Sequence, residues 1–285
     1  MSPDYAEHRI SIDLGDAQRN LFVTQSPLMT AQVTVICVHG WTLDHRSFEE
    51  QRALADQGIR IVRYDRRGFG HSAVTPNFQR ELEDLDALVS HFDTPVILYG
   101  VSQGARLALR YAVLGEQPLA GLVLQGGHVD GLAVEESAGE GIPFETYREW
   151  LAQGDLDRFR KHWIQHPLVY KGMGRLTSQE VLSLIDTYDG ADLLTDNALP
   201  ISIDIRKEIA ALTLPILTVV GSLETASRKT HARAIQSLTG AQELSVPDGG
   251  HLCHISHGQL VNDGICAWYE ALGMNPVGVR DPARG

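Results

Sequence analysis

Between Pro95 and Ala112 the chain reads PVILYGVSQGARLALRYA. An apolar run at residues 96–99 leads into Gly100-Val101-Ser102-Gln103-Gly104, and apolar residues at helical spacing follow. G-x-S-x-G between a buried strand and a helix is the pattern of a nucleophile elbow, a tight turn that exposes a serine hydroxyl above a sheet edge. The flanking glycines let strand and helix pass where a side chain would collide. The plainer reading is a Gly/Ser connection in an ordinary β-α unit. A serine hydroxyl is a weak nucleophile at neutral pH. Ser102 therefore needs a general base within hydrogen-bond reach and a third group to orient that base. Twelve histidines are available, so position must choose among them. His251, in the loop Pro247-Asp248-Gly249-Gly250-His251, follows the last strand-like run and falls at the same C-terminal sheet edge as the elbow. His254 and His257 read as surface or helix-start residues. His71 and His128 read as neighbours of the site without the role of the base.

The elements that must position these residues alternate along the chain. Residues 9–13 and 20–24 read as an opening hairpin around a Gly-Asp turn. Residues 33–38 (VTVICV) form a continuous apolar run, as expected of a parallel strand buried on both faces, and end at His39-Gly40-Trp41. Residues 48–57 read as a helix stopped by Gly58, and 59–64 as a strand. A Gly-rich loop, DRRGFGHS at 65–72, follows, and 77–91 read as an acidic amphipathic helix. Residues 122–125 form a strand ending in Gly126-Gly127-His128. Such alternation predicts an α/β fold with a mostly parallel sheet covered on both faces.

From residue 131 to 205 the rhythm stops. Helical patches at 144–151, 156–164 and 179–188 occur without a convincing strand, over a length too great for a plain connection. We read residues 131–205 as a helical insertion in a core made of 1–130 and 206–285. Its aromatics, among them Trp150, Phe159, Trp163 and Tyr170, can form the insertion's own core, face a substrate cavity, or do both. The rhythm resumes with a strand at 214–220, a helix at 227–238, a short strand at 243–246 and a closing helix at 259–272. The tail from 275 reads as frayed.

With 285 residues, 43% of them hydrophobic, the chain can bury a large core. A formal net charge of −12 argues against a nucleic-acid partner and suits an enzyme acting on neutral or cationic small molecules. Cys37, Cys253 and Cys266 lack metal-type spacing, and their odd, sparse number argues against a disulfide framework. The N-terminal stretch is too polar for a secretory apolar region, and no run reaches the length of a membrane span. A soluble cytoplasmic protein with a small-molecule substrate and no membrane partner is expected, as monomer or homodimer.

Four motifs fall in one order: His39-Gly40-Trp41, Asp65–Ser72, Gly100–Gly104 and Gly249–His251. In these the chain resembles the α/β-hydrolase family over nearly its whole length. The resemblance implies an eight-stranded, mostly parallel sheet flanked by helices, with a helical cap inserted after strand 6. It implies Ser102 as nucleophile, His251 as base, and the backbone N–H groups of Trp41 and Gln103 as the oxyanion hole. It places the triad acid three residues after the glycine ending the seventh strand, which here is Glu224 after Gly221. Aspartate is commoner at that station, and Asp130, just past the sixth strand, is the alternative acid. Asp248 is too close in sequence to His251 to turn back on its ring. His39 fits support of the oxyanion loop, and His39, His128, Trp150 and Trp163 are candidate pocket residues.

A serine at position 102 in place of an aspartate argues against dehalogenase or epoxide-hydrolase chemistry. The resemblance thus implies a serine hydrolase of the esterase or lactonase type, needing no cofactor or metal, and the aromatic and apolar insertion points to a hydrophobic or aromatic acyl or alcohol group. Three rivals remain open: carbon–carbon hydrolysis of a diketone-type substrate, aminopeptidase or amidase action, and a non-catalytic small-molecule binder on the same fold.

Overall fold

The computed structural model describes residues 8–12, 21–27, 31–72, 74–196 and 198–273. One sheet of eight strands runs through it in the order β1-β2-β4-β3-β5-β6-β7-β8. The opening hairpin appears as β1 (His8–Ile10) and β2 (Val23–Gln25), paired antiparallel. Its Gly-Asp turn and the tail from 275 lie outside the described residues. The strands β3 (Val33–Val38), β4 (Ile59–Tyr64), β5 (Val96–Val101), β6 (Gly121–Gln125), β7 (Ile216–Gly221) and β8 (Gln242–Val246) are parallel to one another, and β2 joins β4 antiparallel.

The apolar runs explain the double-sided burial. Successive strand residues point to opposite faces, so Val35, Cys37, Ile97 and Tyr99 enter one core while Ile36, Val38, Val96 and Leu98 enter the other. Ten helices accompany the sheet among the described residues. They are α1 (Glu81–Ser90), α2 (Gln103–Leu114), α3 (Phe144–Ala152), α4 (Leu156–Trp163), α5 (Pro167–Tyr170), α6 (Arg175–Ile185), α7 (Arg206–Ala210), α8 (Ala226–Thr239), α9 (Cys253–Ser256) and α10 (Gly258–Ala271). The segment between β6 and β7 is wholly helical and irregular. None of the described helices is long and apolar enough to cross a membrane.

Two local readings change. The helix expected at 48–57 is instead a pair of 3-10 turns, His45–Phe48 and Glu50–Gln57. Inward-facing Gln51 and Leu54 lie three residues apart, which suits three residues per turn. The helix expected from 77 starts only at Glu81, because the Asn77 side chain accepts from the N–H groups of Gln79 and Arg80 and holds that stretch as a turn. The acidic face of α1 is not simply solvated. Glu81 and Asp84 grip Arg66 and Arg67 in bidentate pairs of 2.6–2.9 Å, all four buried, and so fix the 65–72 loop to the helix.

Candidate active site

The elbow forms as its residues dictate. Ser102 sits between β5 and α2 at φ 57°, ψ −117°, outside the regions an L-residue prefers, a strain of about 1–3 kcal/mol that the surroundings hold in place. Its N–H donates to the carbonyl of Gln125 at the end of β6, at 2.7 Å. A Cβ on Gly104 would overlap the carbonyl oxygen of Val38, so only glycine lets α2 start this close to β3. Gln103 is the first residue of α2, and its N–H has no intrahelical acceptor.

Opposite the elbow, β7 and β8 deliver the other two residues. His251 Nδ1–H donates to Glu224 Oε2 at 2.6 Å, and Glu224 Oε1 accepts the Thr225 N–H at 2.7 Å. Burial pushes the Glu224 carboxyl up, but the His251 ring and the Thr225 N–H outweigh it and hold it below its ordinary value. The remaining ring nitrogen, His251 Nε2, is buried with no hydrogen-bond partner among the described residues. Ser102 and His251 line one narrow pocket together with Trp41 and Trp163. Gly126, at φ +62°, closes the back of the pair: a Cβ there would lie within 2.6 Å of His251 Nδ1. Asp130 is engaged elsewhere. It binds Arg106, whose Nε lies at 2.8 Å, together with Arg110, and no hydrogen bond joins it to His251.

A side-chain network behind these residues escaped the sequence reading. Gln125 Nε2 donates to the His251 carbonyl at 2.7 Å and to His254 Nδ1 at 3.0 Å, while its Oε1 accepts from Tyr99 OH at 2.9 Å. One glutamine thus ties the serine turn to the histidine loop. The only hint was a polar residue ending the apolar run of β6. His254, expected at the surface or a helix start, is the second residue of α9 and is fully buried. Burial and the neighbouring charge of His251 lower its pKa to about 3, so the ring is neutral.

The early loop carries a second network. Trp41 N–H meets no protein acceptor among the described residues, whereas its indole Nε1–H donates to Asp192 at 2.8 Å. Tyr188 OH donates to the other oxygen of Asp192 at 2.6 Å, and Trp163 Nε1–H donates to Thr42 Oγ1 at 2.8 Å. Thr42 itself has φ 63°. His39 lies beneath: its Nδ1–H donates to the Gly40 carbonyl and its Nε2 accepts the Arg66 N–H, both at 2.8 Å. Burial, then the charge of Arg66, lower its pKa to about 4. Asp44, His45 and Asp65 cluster closely enough to suggest a metal site. Asp65, however, accepts from His45 N–H, His45 Nδ1–H and His71 N–H at 2.7 Å each, and so serves as the organiser of its loop.

A larger cavity of about 640 Å³ opens from the serine and is lined by Ser102, Gln103, Arg106, His128, Arg228 and His231 on the core side. Ile142, Phe144 and Leu199, from the segment between β6 and β7, line it as well. Of the four candidate pocket residues, His128 lines this cavity and Trp163 the narrow pocket. His39 and Trp150 line neither. His39 is consumed in supporting the loop, and Trp150 lies under the Arg158 guanidinium at 4.3 Å. Phe159 is fully buried among Tyr147, Tyr188 and Trp41, and Tyr170 is exposed.

This architecture has close counterparts. A model of the alpha/beta hydrolase family matches residues 35–263. The 2-succinyl-6-hydroxy-2,4-cyclohexadiene-1-carboxylate synthase of Escherichia coli is 26% identical over 229 residues, spanning 77% of this chain and 87% of that protein. An esterase from Thermogutta terrifontis superposes with a TM-score of 0.74 at 21% identity, over 93% of this chain and 99% of its own. An enol-lactonase from Burkholderia xenovorans does so with a TM-score of 0.74 at 15% identity, over 89% and 98%. With its eight-stranded sheet, its elbow turn and a family match over most of its length, the chain belongs to the alpha/beta hydrolase family.

Proposed function

We propose that the protein is a serine hydrolase that opens a carboxylic ester or lactone of a small molecule through an acyl-enzyme. The observation that carries this reading is the 2.6 Å Glu224–His251 pair facing the same pocket as Ser102 on its strained turn. In this mechanism His251 Nε2 takes the proton of Ser102 Oγ as the oxygen attacks the carbonyl carbon. The N–H groups of Trp41 and Gln103 hold the negative charge that develops on the carbonyl oxygen, aided by the positive end of α2. His251 then returns the proton to the departing alkoxide. Water, activated by the same ring, attacks the acyl carbon and frees the serine. Glu224 keeps the proton of His251 on Nδ1, leaving Nε2 to act as base. The insertion 131–205 serves as a cap that shapes the substrate cavity. A cytoplasmic setting fits the three free cysteines.

A fluorophosphonate probe tests the assignment. Wild type is expected to be labelled and Ser102→Ala not, whereas labelling that survives in the variant overturns it. A panel of p-nitrophenyl esters, lactones, aminoacyl amides and diketones then assigns the bond. A second reading, carbon–carbon hydrolysis of a diketone-type substrate, is kept in view by the Escherichia coli relative, which is named as the synthase of a cyclic carboxylate and not as an esterase. Turnover of diketones in preference to esters would select it.

A further inference from the structure

The wall of the larger cavity holds a guanidinium that the triad does not use. Arg228, on the first turn of α8, is 4% exposed, and its Nε and Nη1 have no hydrogen-bond partner among the described residues. A buried cation with unmet donors is costly unless something pairs with it. The acids whose fields reach it are Glu224 and Glu136. Glu224 already places one oxygen on His251 and the other on Thr225 N–H, and Glu136 is an exposed residue on the cavity's other wall.

The surroundings are short of negative charge. Arg106 and Arg110 share the single carboxylate of Asp130, which leaves Arg228 without a matching acid in contact among the described residues. Two histidines beside it are kept neutral. Burial, then Arg228 and Arg106, lower the pKa of His231 to about 4. His128, whose ring lies 4.5 Å from that of His231, is lowered further by burial and the same guanidinium charges. His231 Nδ1 accepts the Val129 N–H at 3.1 Å, so the neutral ring carries its proton on Nε2 and offers a donor. Ser227, buried beside Arg228, adds a hydroxyl to the same wall.

We infer that Arg228 anchors a carboxylate-binding subsite in the cavity that opens from Ser102, with His231 Nε2–H and Ser227 as supporting donors. The substrate class is then an acyl or enol compound that carries a free carboxylate, and not the purely hydrophobic molecule the aromatic insertion suggested. The apolar wall of Ile142, Phe144 and Leu199 receives the carbon skeleton, and the guanidinium receives its charged end. This inference rests on Ser102 being the reacting residue only for the identity of the bond cleaved. The anion site itself stands on Arg228.

Two experiments separate the two. In Ser102→Ala, where turnover plays no part, titration calorimetry with succinate is expected to give one site. Adding Arg228→Met should weaken it by on the order of 10- to 100-fold, with Arg228→Lys intermediate and neutral succinamide not bound. Absence of succinate binding, or equal binding in Arg228→Met, overturns the subsite whatever the chemistry. In the Ser102 enzyme, the kcat/KM ratio for p-nitrophenyl hydrogen succinate over p-nitrophenyl butyrate should fall by a similar factor in Arg228→Met. An equal loss on both esters would make Arg228 a structural residue and overturn the inference. Should Arg228→Met fail to fold, Arg228→Lys carries the same ratio test. If neither ester is cleaved while succinate still binds through Arg228, the hydrolase reading fails and the subsite stands.

Discussion

A glutamate needs one methylene more room than an aspartate to reach an imidazole, and Glu224 is seated by two anchors, the His251 ring and the Thr225 N–H. Glu224→Gln preserves shape but lets the amide favour the wrong imidazole tautomer. We expect kcat to fall by on the order of 10⁴-fold with an unchanged circular dichroism spectrum. Asp130→Asn separates the rival acid by a different readout. It leaves two arginines short of charge at a buried position and should lower stability by roughly 3–5 kcal/mol in a urea melt, with kcat changed far less than in Glu224→Gln. A loss of kcat in Asp130→Asn to match Glu224→Gln would reverse the two roles. Ser102 and His251 were legible because each ends a recognisable strand-to-loop pattern. Glu224 was legible only through resemblance, since an acid three residues past a glycine has no local mark. Arg228 was not legible at all: an arginine near a helix start reads as solvated until the fold buries it.

At the scale of elements, the C-terminal end of β6 is the hinge of the site. Gly126 backs the Glu224–His251 pair, and Gln125 ties the elbow to the histidine loop. Gly126→Ala puts a methyl against the imidazole and adds about 1–2 kcal/mol of left-handed strain. A displaced ring should lower kcat by on the order of 10²-fold and abolish the downfield proton resonance of the His251–Glu224 hydrogen bond. Retention of both would show that the loop yields. The strands were readable because burial on both faces leaves a continuous apolar run. The 3-10 turns at 45–57 were not, since three and 3.6 residues per turn differ too little over two turns to show in a pattern. The aromatics of the insertion divided between roles that spacing does not separate: Phe159 packs inward, Trp163 lines the pocket and Trp150 covers an arginine.

For the whole molecule, buried neutral histidines set the response to acid. His39 and His231 titrate near 4 and His254 near 3 in the fold, against an ordinary value of 6.5 in the unfolded chain. Between those values the unfolded state binds protons that the folded state refuses, so stability falls as pH drops. Glu224, held below the ordinary 4.5, adds a loss of the same sign at lower pH. Unfolding free energy should be nearly level above pH 6.5. From 6.5 toward 4 it should decline by about 1.4 kcal/mol per pH unit for each such histidine. A level profile in urea melts from pH 6.5 to 4.5 would contradict this assignment of neutral rings.

The two indole hydrogen bonds, Trp41 to Asp192 and Trp163 to Thr42, run in opposite directions between the loop after β3 and the segment joining β6 to β7. On the proposed reading, the segment that shapes the cavity therefore also holds the loop proposed to meet the carbonyl oxygen. A segment bonded in this way is not exchangeable as a spare part. A graft that changes selectivity must bring an acceptor for one indole and a donor for the hydroxyl, or selectivity and rate will change together.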